Sequence, residues 1–416
     1  MSQGNWYKVD NVAKVFLATA AKRDTRTLRV SCTLIDEIDP ELLQEALLST
    51  IQIRPQFQVR IRRGVFWHYM EDTDIEPVVV EESGRICPLL YVKGKAALHY
   101  RVSYFNNRIN LDLFHAIADG TGALEFLNIL VHEYLKLKYP GKFDDVVNHS
   151  GASEDDLFED SYKQFYESKP HLGKISRFAY HPAGLKLPYD QLQFFELHIP
   201  TEDILPKAKE LGVSLSSYLG ASLMIAIMKD MPSLKRGKRP VTVAMPVNLR
   251  NYYPSNTTRN FFNNIQISHT FKEDISLEDL AKEFDVELKS SLTPENIKGQ
   301  MDKFETMEYV APVRAVPLIF KQISVWFGSK VNDGKVSVVL SNLGVQKPAE
   351  ELKPFIANYG AFCSSSNLFV ACSSYNGDLT LGISSPYMST GIIKDFVRGF
   401  TDKGIRMKVY ATEVIR

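Results

Sequence analysis

A histidine at the end of an alternating run is the residue of this 416-residue chain best placed for chemistry. His115 follows residues 108–114, where apolar and polar side chains alternate as in a β-strand. An imidazole with a pKa of about 6.5 can take the proton from an alcohol or amine that attacks a thioester. Asp119 can pin the following loop by pairing with an arginine, and Gly120 lets the chain turn sharply into a helix. Spacing alone leaves a second interpretation open, in which His115 is an ordinary core histidine.

Periodicity predicts the elements that position His115. Residues 98–105 and 108–114 are predicted to form a hairpin that turns at two asparagines, which tolerate a positive φ. A helix over 121–137 is predicted from an apolar stripe at helical spacing. His115 therefore falls in a loop between a strand and a helix, where functional side chains are common.

The chain is predicted to divide into an N-terminal subdomain (1–145), a linker (146–190) and a C-terminal subdomain (191–416). The linker is acidic and then rich in Pro, Gly and His, which is typical of a connection. The second half repeats the pattern of the first, with a hairpin over 367–383 and a helix over 390–403. Its other predicted elements are a helix that begins after the N-cap Ser214, strands over 194–199, 241–247 and 335–341, and helices over 276–290 and 313–327.

Composition excludes several classes of function. The 49 basic and 49 acidic residues balance, so no broad nucleic-acid surface is expected. The four cysteines form no C-x-x-C pair, and we expect no metal. No glycine-rich phosphate loop and no G-x-S-x-G motif is present, so ATP, NAD and a serine-hydrolase mechanism are not supported. No leader and no run of about 18 apolar residues is visible, which predicts a cytoplasmic protein without a membrane span. We also expect a monomer or weak oligomer.

The run LDLFHAIADGTGALEFL, residues 111–127, resembles the H-x-x-x-D-G signature of the CoA-dependent acyltransferase superfamily. That group includes chloramphenicol acetyltransferase, plant BAHD enzymes, alcohol O-acetyltransferases and peptide-synthetase condensation domains. Three further segments are similar to the family and follow in its order. They are RPQF at 54–57, MPVNLR at 245–250, and SNLG at 341–344, which resembles the alcohol acetyltransferase branch.

The resemblance implies an α/β fold of two chloramphenicol-acetyltransferase-like subdomains, each a mixed β-sheet with helices, with a tunnel between them. His115 would be the general base at the middle of the tunnel, and Asp119 would be structural, facing an arginine. Condensation domains usually carry two adjacent histidines, whereas the first position here is Phe114. A peptide-bond-forming role is therefore less expected, and the absence of a clear D-F-G-W-G motif argues against a plant-like enzyme.

Other residues of the site are left as alternatives. Arg60 and Arg250 are both candidate partners of Asp119. Ser341 and Asn342 are candidates for stabilising the oxyanion of an acyl-transfer intermediate, or they only form a strand-end turn. A basic loop either holds the phosphates of CoA or is a solvated turn, and its charged residues are Lys235, Arg236, Lys238 and Arg239.

The predicted function is transfer of an acyl group, in particular acetyl, from acyl-CoA to a hydroxyl acceptor. Acyl-CoA would be a co-substrate, and no permanently bound cofactor is expected. Two alternatives stay open: a stand-alone condensation-type enzyme that uses an acyl carrier protein as donor, and a non-catalytic binding module of the same fold.

Overall fold

The computed structural model describes residues 5–146, 154–167, 177–182, 184–309 and 316–412. Within these ranges the chain forms eleven α-helices: α1 (Asn11–Thr19), α2 (Pro40–Ile53), α3 (Gly120–Lys138), α4 (Glu154–Phe158), α5 (Ser161–Gln164), α6 (Thr201–Glu210), α7 (Leu215–Asp230), α8 (Leu277–Ser291), α9 (Pro294–Tyr309), α10 (Leu318–Asp333) and α11 (Gly391–Thr401).

Fifteen strands lie in the same ranges: β1 (Trp6–Lys8), β2 (Thr27–Leu34), β3 (Val59–Arg63), β4 (His68–Asp72), β5 (Val80–Glu81), β6 (Tyr100–Phe105), β7 (Arg108–Phe114), β8 (Gln193–Pro200), β9 (Val241–Asn248), β10 (Phe262–His269), β11 (Val338–Val345), β12 (Ile356–Cys363), β13 (Leu368–Tyr375), β14 (Asp378–Ser385) and β15 (Lys408–Ala411).

The strands form two large mixed sheets in two lobes, as the α/β fold prediction requires. The first has the order β12-β2-β7-β6-β5 and the second has the order β10-β9-β11-β13-β14-β8-β15. A small third sheet has the order β1-β4-β3. Strand β12 comes from the second half of the chain but pairs antiparallel with β2, so the second half completes the first sheet.

The two large sheets approach closely where β12 faces β14. A Cβ added to Gly382 of β14 would lie 1.8 Å from the backbone oxygen of Ala361 on β12. Only a residue without a side chain allows that approach. An ion cluster also crosses between the sheets, because Arg108 of β7 contacts Glu196 of β8 at 2.6 Å.

Helix α3 begins at the motif loop and packs its apolar side against the first sheet and α2. The N-cap Asp119 accepts hydrogen bonds from the backbone amides of Thr121 and Gly122, which satisfies two free donors of the first turn. At the other side of the helix, Arg54 at the end of α2 contacts Glu125 at 2.6 Å. These contacts fix the backbone at the start of α3, next to the loop that carries His115.

Most predicted elements are confirmed. The hairpin β6–β7 turns at Asn106, whose φ is 51°, and α7 begins after Ser214, whose side chain accepts from the amide of Ser217. The helix predicted over 313–327 is displaced, because α10 begins only after Pro317, and residues 310–315 lie outside the described ones. Part of the predicted linker also lies outside them, and its described residues include α4 and α5.

Strand β7 departs from a simple alternating strand, because both of its faces are covered. Asp112 is fully buried and contacts Arg29 and Arg101, both at 2.7 Å. A buried carboxylate needs such partners. In the described part of the chain, no single helix is long and apolar enough to span a membrane, although the pair α6 and α7, bent by 87°, passes that test by length and composition.

Candidate active site

The backbone of His115 is held where β7 ends. Its amide donates to the carbonyl oxygen of Arg26, at 2.8 Å. The half-buried imidazole lies between two aromatic rings, with Phe16 of α1 at 4.6 Å and Phe262 of β10 at 5.7 Å between ring centroids. His115 therefore lies between a helix of the first half and a strand of the second.

The imidazole of His115 has one nitrogen engaged and one open. Nδ1 lies 3.1 Å from Oδ1 of Asn260, and no other described residue forms a hydrogen bond with Nε2. Burial lowers the pKa of His115, and Arg26 lowers it further, while the nearby Asp119, a hydrogen bond to the backbone of His115 itself and the contact with Asn260 act in the opposite direction. A histidine with a lowered pKa is neutral at pH 7, so its open nitrogen is able to accept a proton.

Asp119 uses both carboxylate oxygens for structure. Oδ1 accepts from the amides of Thr121 and Gly122, each at 3.1 Å. Oδ2 accepts from Nη1 of Arg250 at 2.7 Å and from the amide of Phe261 at 3.0 Å. The carboxylate thus joins the start of α3 to the segment before β10.

Arg250 is the arginine that contacts Asp119, and the alternative candidate Arg60 is wrong. Arg60 lies on β3 directly opposite Glu71 of β4 and pairs with it across the ladder. Arg250 also donates to the carbonyl oxygens of Thr257 and Arg259, at distances of 2.7 to 3.1 Å. One guanidinium therefore fixes both the motif loop and the segment before β10.

Gly120 serves a different purpose from the one that its position suggests. It is not among the residues with a positive φ, so it does not make a left-handed turn. A Cβ at Gly120 would instead lie 2.7 Å from Cδ2 of Leu343, at the end of β11. The glycine makes room for the SNLG segment, which therefore packs on the first turn of α3.

The two oxyanion candidates differ in their contacts. Asn342 is exposed, and both ends of its amide are engaged, with Ser216 Oγ at 2.9 Å and the amide of Gly344 at 2.8 Å. Ser341 is half-buried, and its hydroxyl forms no hydrogen bond with the described residues. Ser341 is thus the one whose donor is available.

The basic loop lies at the start of β9, whereas Arg250 follows its end. An eight-residue strand spans about 25 Å, so the loop is separated from the contacts of Asp119 by the length of β9. Lys235, Lys238 and Arg239 are exposed, and Arg236 contacts Asp274 at 3.5 Å. Lys238 and Arg239 are thus exposed to solvent, and none of the four joins the His115 hydrogen bonds.

Sequence reasoning missed Asn260, Phe16 and Phe262, which contact the imidazole directly. Each is far from His115 along the chain and carries no motif, so only the fold brings them together. Among the described residues, no group of three or more His, Cys, Asp or Glu side chains is arranged to hold a metal ion. The four cysteines are free thiols.

Solved structures share this architecture over nearly its whole length. TRI101 of F. sporotrichioides, solved with coenzyme A and T-2, has a TM-score of 0.65 and 11% identity, covering 97% of this chain and 99% of its own. TRI3 trichothecene 15-O-acetyltransferase from Fusarium sporotrichioides has a TM-score of 0.62 and 11% identity, covering 97% and 96%.

A third similar structure is the starter condensation domain of rhizomide synthetase in complex with C8-CoA and Leu-SNAC. Its TM-score is 0.58 and its identity is 10%, with 95% of this chain and 93% of that chain covered. No family model matches the sequence, and no curated protein matches it. The likeness is therefore one of fold.

Proposed function

We propose, from the two-lobed fold that this chain shares with acyltransferases and condensation domains, that it transfers an acyl group from acyl-CoA to a hydroxyl acceptor. The observation that carries the proposal is the imidazole of His115. It lies between the two halves of the chain, its Nδ1 is engaged by Asn260, and its Nε2 is open. A base in that state, at the position of the H-x-x-x-D-G motif, is what the reaction requires.

In the proposed reaction, Nε2 of His115 takes the hydroxyl proton while the acceptor oxygen attacks the thioester carbon. The carbonyl oxygen becomes an oxyanion, and the Ser341 hydroxyl is the proposed donor to it. The C–S bond then breaks and the carbonyl reforms. The imidazolium returns its proton to the departing thiolate, so an ester and CoA thiol leave and His115 is neutral again. No covalent acyl-enzyme and no metal takes part.

The acyl group is proposed to be acetyl and the acceptor an alcohol. TRI3 in the comparison is an O-acetyltransferase by its name. CoA is a co-substrate in this proposal, in line with the CoA and C8-CoA found in two of the similar structures. The single histidine, with Phe114 in the preceding position, favours this reaction over the formation of a peptide bond.

A carrier-protein donor is the second candidate, because one of the similar structures is a condensation domain. The test is release of free CoA thiol by the whole protein over a panel of acyl-CoAs, each with a set of alcohols and amines. Release with alcohols in the absence of a carrier protein supports the proposal. Turnover only with an acylated carrier protein would support the second candidate, and no turnover with either donor would leave a binding module.

A further inference from the structure

Two buried polar side chains, Asn260 and Asp10, follow one another on the Nδ1 side of the His115 imidazole. Oδ1 of Asn260 lies 3.1 Å from Nδ1 of His115, and Nδ2 of Asn260 lies 3.4 Å from Oδ2 of Asp10. Asn260 is 2% exposed and Asp10 is 1% exposed. Buried polar groups are costly unless they are hydrogen-bonded, so these side chains need each of their contacts.

The partners of Asp10 fix the direction of the hydrogen bonds. Oδ1 of Asp10 accepts from the amide of Ala13 at 2.6 Å, and Oδ2 faces the guanidinium of Arg259 at 3.4 Å. Burial and Asp160 raise the pKa of Asp10, whereas Arg259 and the hydrogen bonds from Ala13 and Asn260 favour its ionised form. The ionised carboxylate that faces these donors presents an acceptor to Asn260 as well. The amide nitrogen of Asn260 therefore points to Asp10 and its oxygen points to His115.

An oxygen that faces Nδ1 requires Nδ1 to carry the hydrogen. In the neutral imidazole only one nitrogen is protonated, so the lone pair is then on Nε2. Nε2 is the nitrogen with no hydrogen-bond partner in any other described residue. The other tautomer would place two acceptors face to face at 3.1 Å.

The backbone on both sides of Asn260 is anchored. The carbonyl oxygen of Arg259 accepts from Arg250 at 2.7 Å, and the amide of Phe261 donates to Asp119 at 3.0 Å. Asp119 and Arg250 thereby hold the residue that contacts the imidazole. The motif carboxylate is connected to His115 through the chain rather than by direct contact.

We propose that Asn260, oriented by Asp10, is a positioning residue that holds His115 in the tautomer with a bare Nε2. This inference rests on the proposed function, in which Nε2 is the base. The charged groups that face His115 are Asp119 from its own loop and Arg26 from the start of β2. Asp10 and Arg259 lie beyond Asn260.

The kinetic test compares two substitutions of Asn260. Asn260→Ala removes an acceptor that stabilises the imidazolium, so kcat/KM falls roughly tenfold to a hundredfold, the range expected for a hydrogen bond to a charged group. The acidic limb of its pH profile moves to lower pH. Asn260→Asp keeps an acceptor toward Nδ1, but its second oxygen faces Oδ2 of Asp10, so the two carboxyls share a proton and that limb moves less than in Asn260→Ala. KM for acyl-CoA changes in neither variant.

Asn264→Ala is the matched control, because Asn264 is an exposed asparagine on β10, four residues after Asn260, without a contact to His115. It should leave the profile unchanged. The nearly isosteric Asp variant preserves the packing if the Ala variant folds poorly. Equal losses in both Asn260 variants with no movement of the profile would overturn the inference, because a merely structural role predicts that outcome.

A spectroscopic readout separates the inference from the proposed function. Proton–nitrogen spectra of the protein labelled at its histidine ring nitrogens should show a proton on Nδ1 of His115 in the wild type, and a mixture of tautomers in Asn260→Ala. Assignment comes from the His115→Ala spectrum. A wild-type spectrum with the proton on Nε2 would contradict the inference, regardless of the activity that the protein shows. If the proton is on Nδ1 but no thiol is released, the proposed function alone would be contradicted.

Discussion

Gly122 and Thr258 approach so closely that a Cβ on Gly122 would lie 2.1 Å from the carbonyl oxygen of Thr258. Gly122 is in the first turn of α3, and Thr258 is two residues before Asn260. The contact therefore joins the motif helix to the segment that carries the partner of His115. Neither residue touches the imidazole, yet their separation sets where Asn260 lies.

Gly122→Ala is expected to lower both the melting temperature and kcat/KM, because the segment around Thr258 has to move away from α3. Gly399→Ala is the matched control. Gly399 lies within α11 and a Cβ there meets no atom within 4 Å. Replacing such a helical glycine by alanine stabilises a helix by about 1 kcal/mol. If the two variants melted alike and retained equal activity, the contact would not set the geometry of the site.

Asp119→Asn tests the structural assignment of the motif carboxylate. The buried pair with Arg250 loses its charge. Whichever oxygen the NH2 group of Asn replaces, it faces two donors: Arg250 and Phe261 at Oδ2, or the amides of Thr121 and Gly122 at Oδ1. Loss of a buried partner costs about 3 kcal/mol, so melting temperature and rate should fall together. Arg60→Gln, which breaks a partly exposed pair with Glu71, should change stability by about 1 kcal/mol or less.

One outcome for Asp119→Asn would contradict a purely structural role of this carboxylate. A large loss of rate with an unchanged melting curve and unchanged substrate affinity would indicate that Asp119 takes part directly in the chemistry.

The motif and its surroundings follow from local sequence, and the rest of the site does not. A strand, a loop and a helix within thirty or so residues place His115 and Asp119, so periodicity and turn residues are sufficient for them. Arg250 was one of two candidates because an isolated arginine has no signal of its own. Asn260 and Asp10 are brought to His115 only by the packing of the two halves.

The strand order of the first sheet also could not be predicted from local sequence. Strand β12 was not predicted, and its pairing with β2 joins residues more than 300 positions apart. The displaced start of α10 has a local cause. The apolar run across 313–327 suggested a helix, but Pro317 has a φ of −57° and a ψ of 147° and precedes the first helical residue.

The ion cluster between the sheets predicts a pH-dependent stability. Nδ1 of His198 lies 2.7 Å from Asp378 and Nε2 lies 2.8 Å from Glu196. Burial opposes the charged form of His198, but the two carboxylates outweigh it and raise its pKa to about 9. A raised pKa stabilises the folded state fully below the unfolded value of about 6.5 and no longer does so once the pH has risen through about 9.

His198→Gln should therefore lower the melting temperature at pH 6 and have little effect at pH 10. The measurement is thermal unfolding of wild type and variant across that range. His269→Gln is the control, because the ion-pair partner of His269 is the exposed Glu283, at 3.1 Å, and its ring packs on Phe271. A constant difference between His198→Gln and wild type at every pH would show that packing, and not charge, accounts for the effect.

The basic loop is expected to serve the donor and not the chemistry. Replacing Lys235, Arg236, Lys238 and Arg239 together by Ser should raise KM for acyl-CoA and leave kcat nearly unchanged. The wild-type KM should rise with salt, because exposed charges are screened over about 8–10 Å at physiological ionic strength. Lys207 and Lys209 of α6, replaced by Ser, are the control. If KM is the same in the loop variant as in wild type, the loop is a solvated turn.

The central claim, that His115 is the base of an acyl transfer from CoA, is tested most directly by His115→Ala. The variant removes Nε2 and leaves Asp119, Arg250 and Asn260 in place. With the acyl-CoA and alcohol that the wild type turns over, the initial rate of thiol release should fall by about two to four orders of magnitude, the usual contribution of a general base. KM for acyl-CoA and the melting curve should stay close to those of the wild type. A folded His115→Ala protein that releases thiol at nearly the wild-type rate would contradict the account.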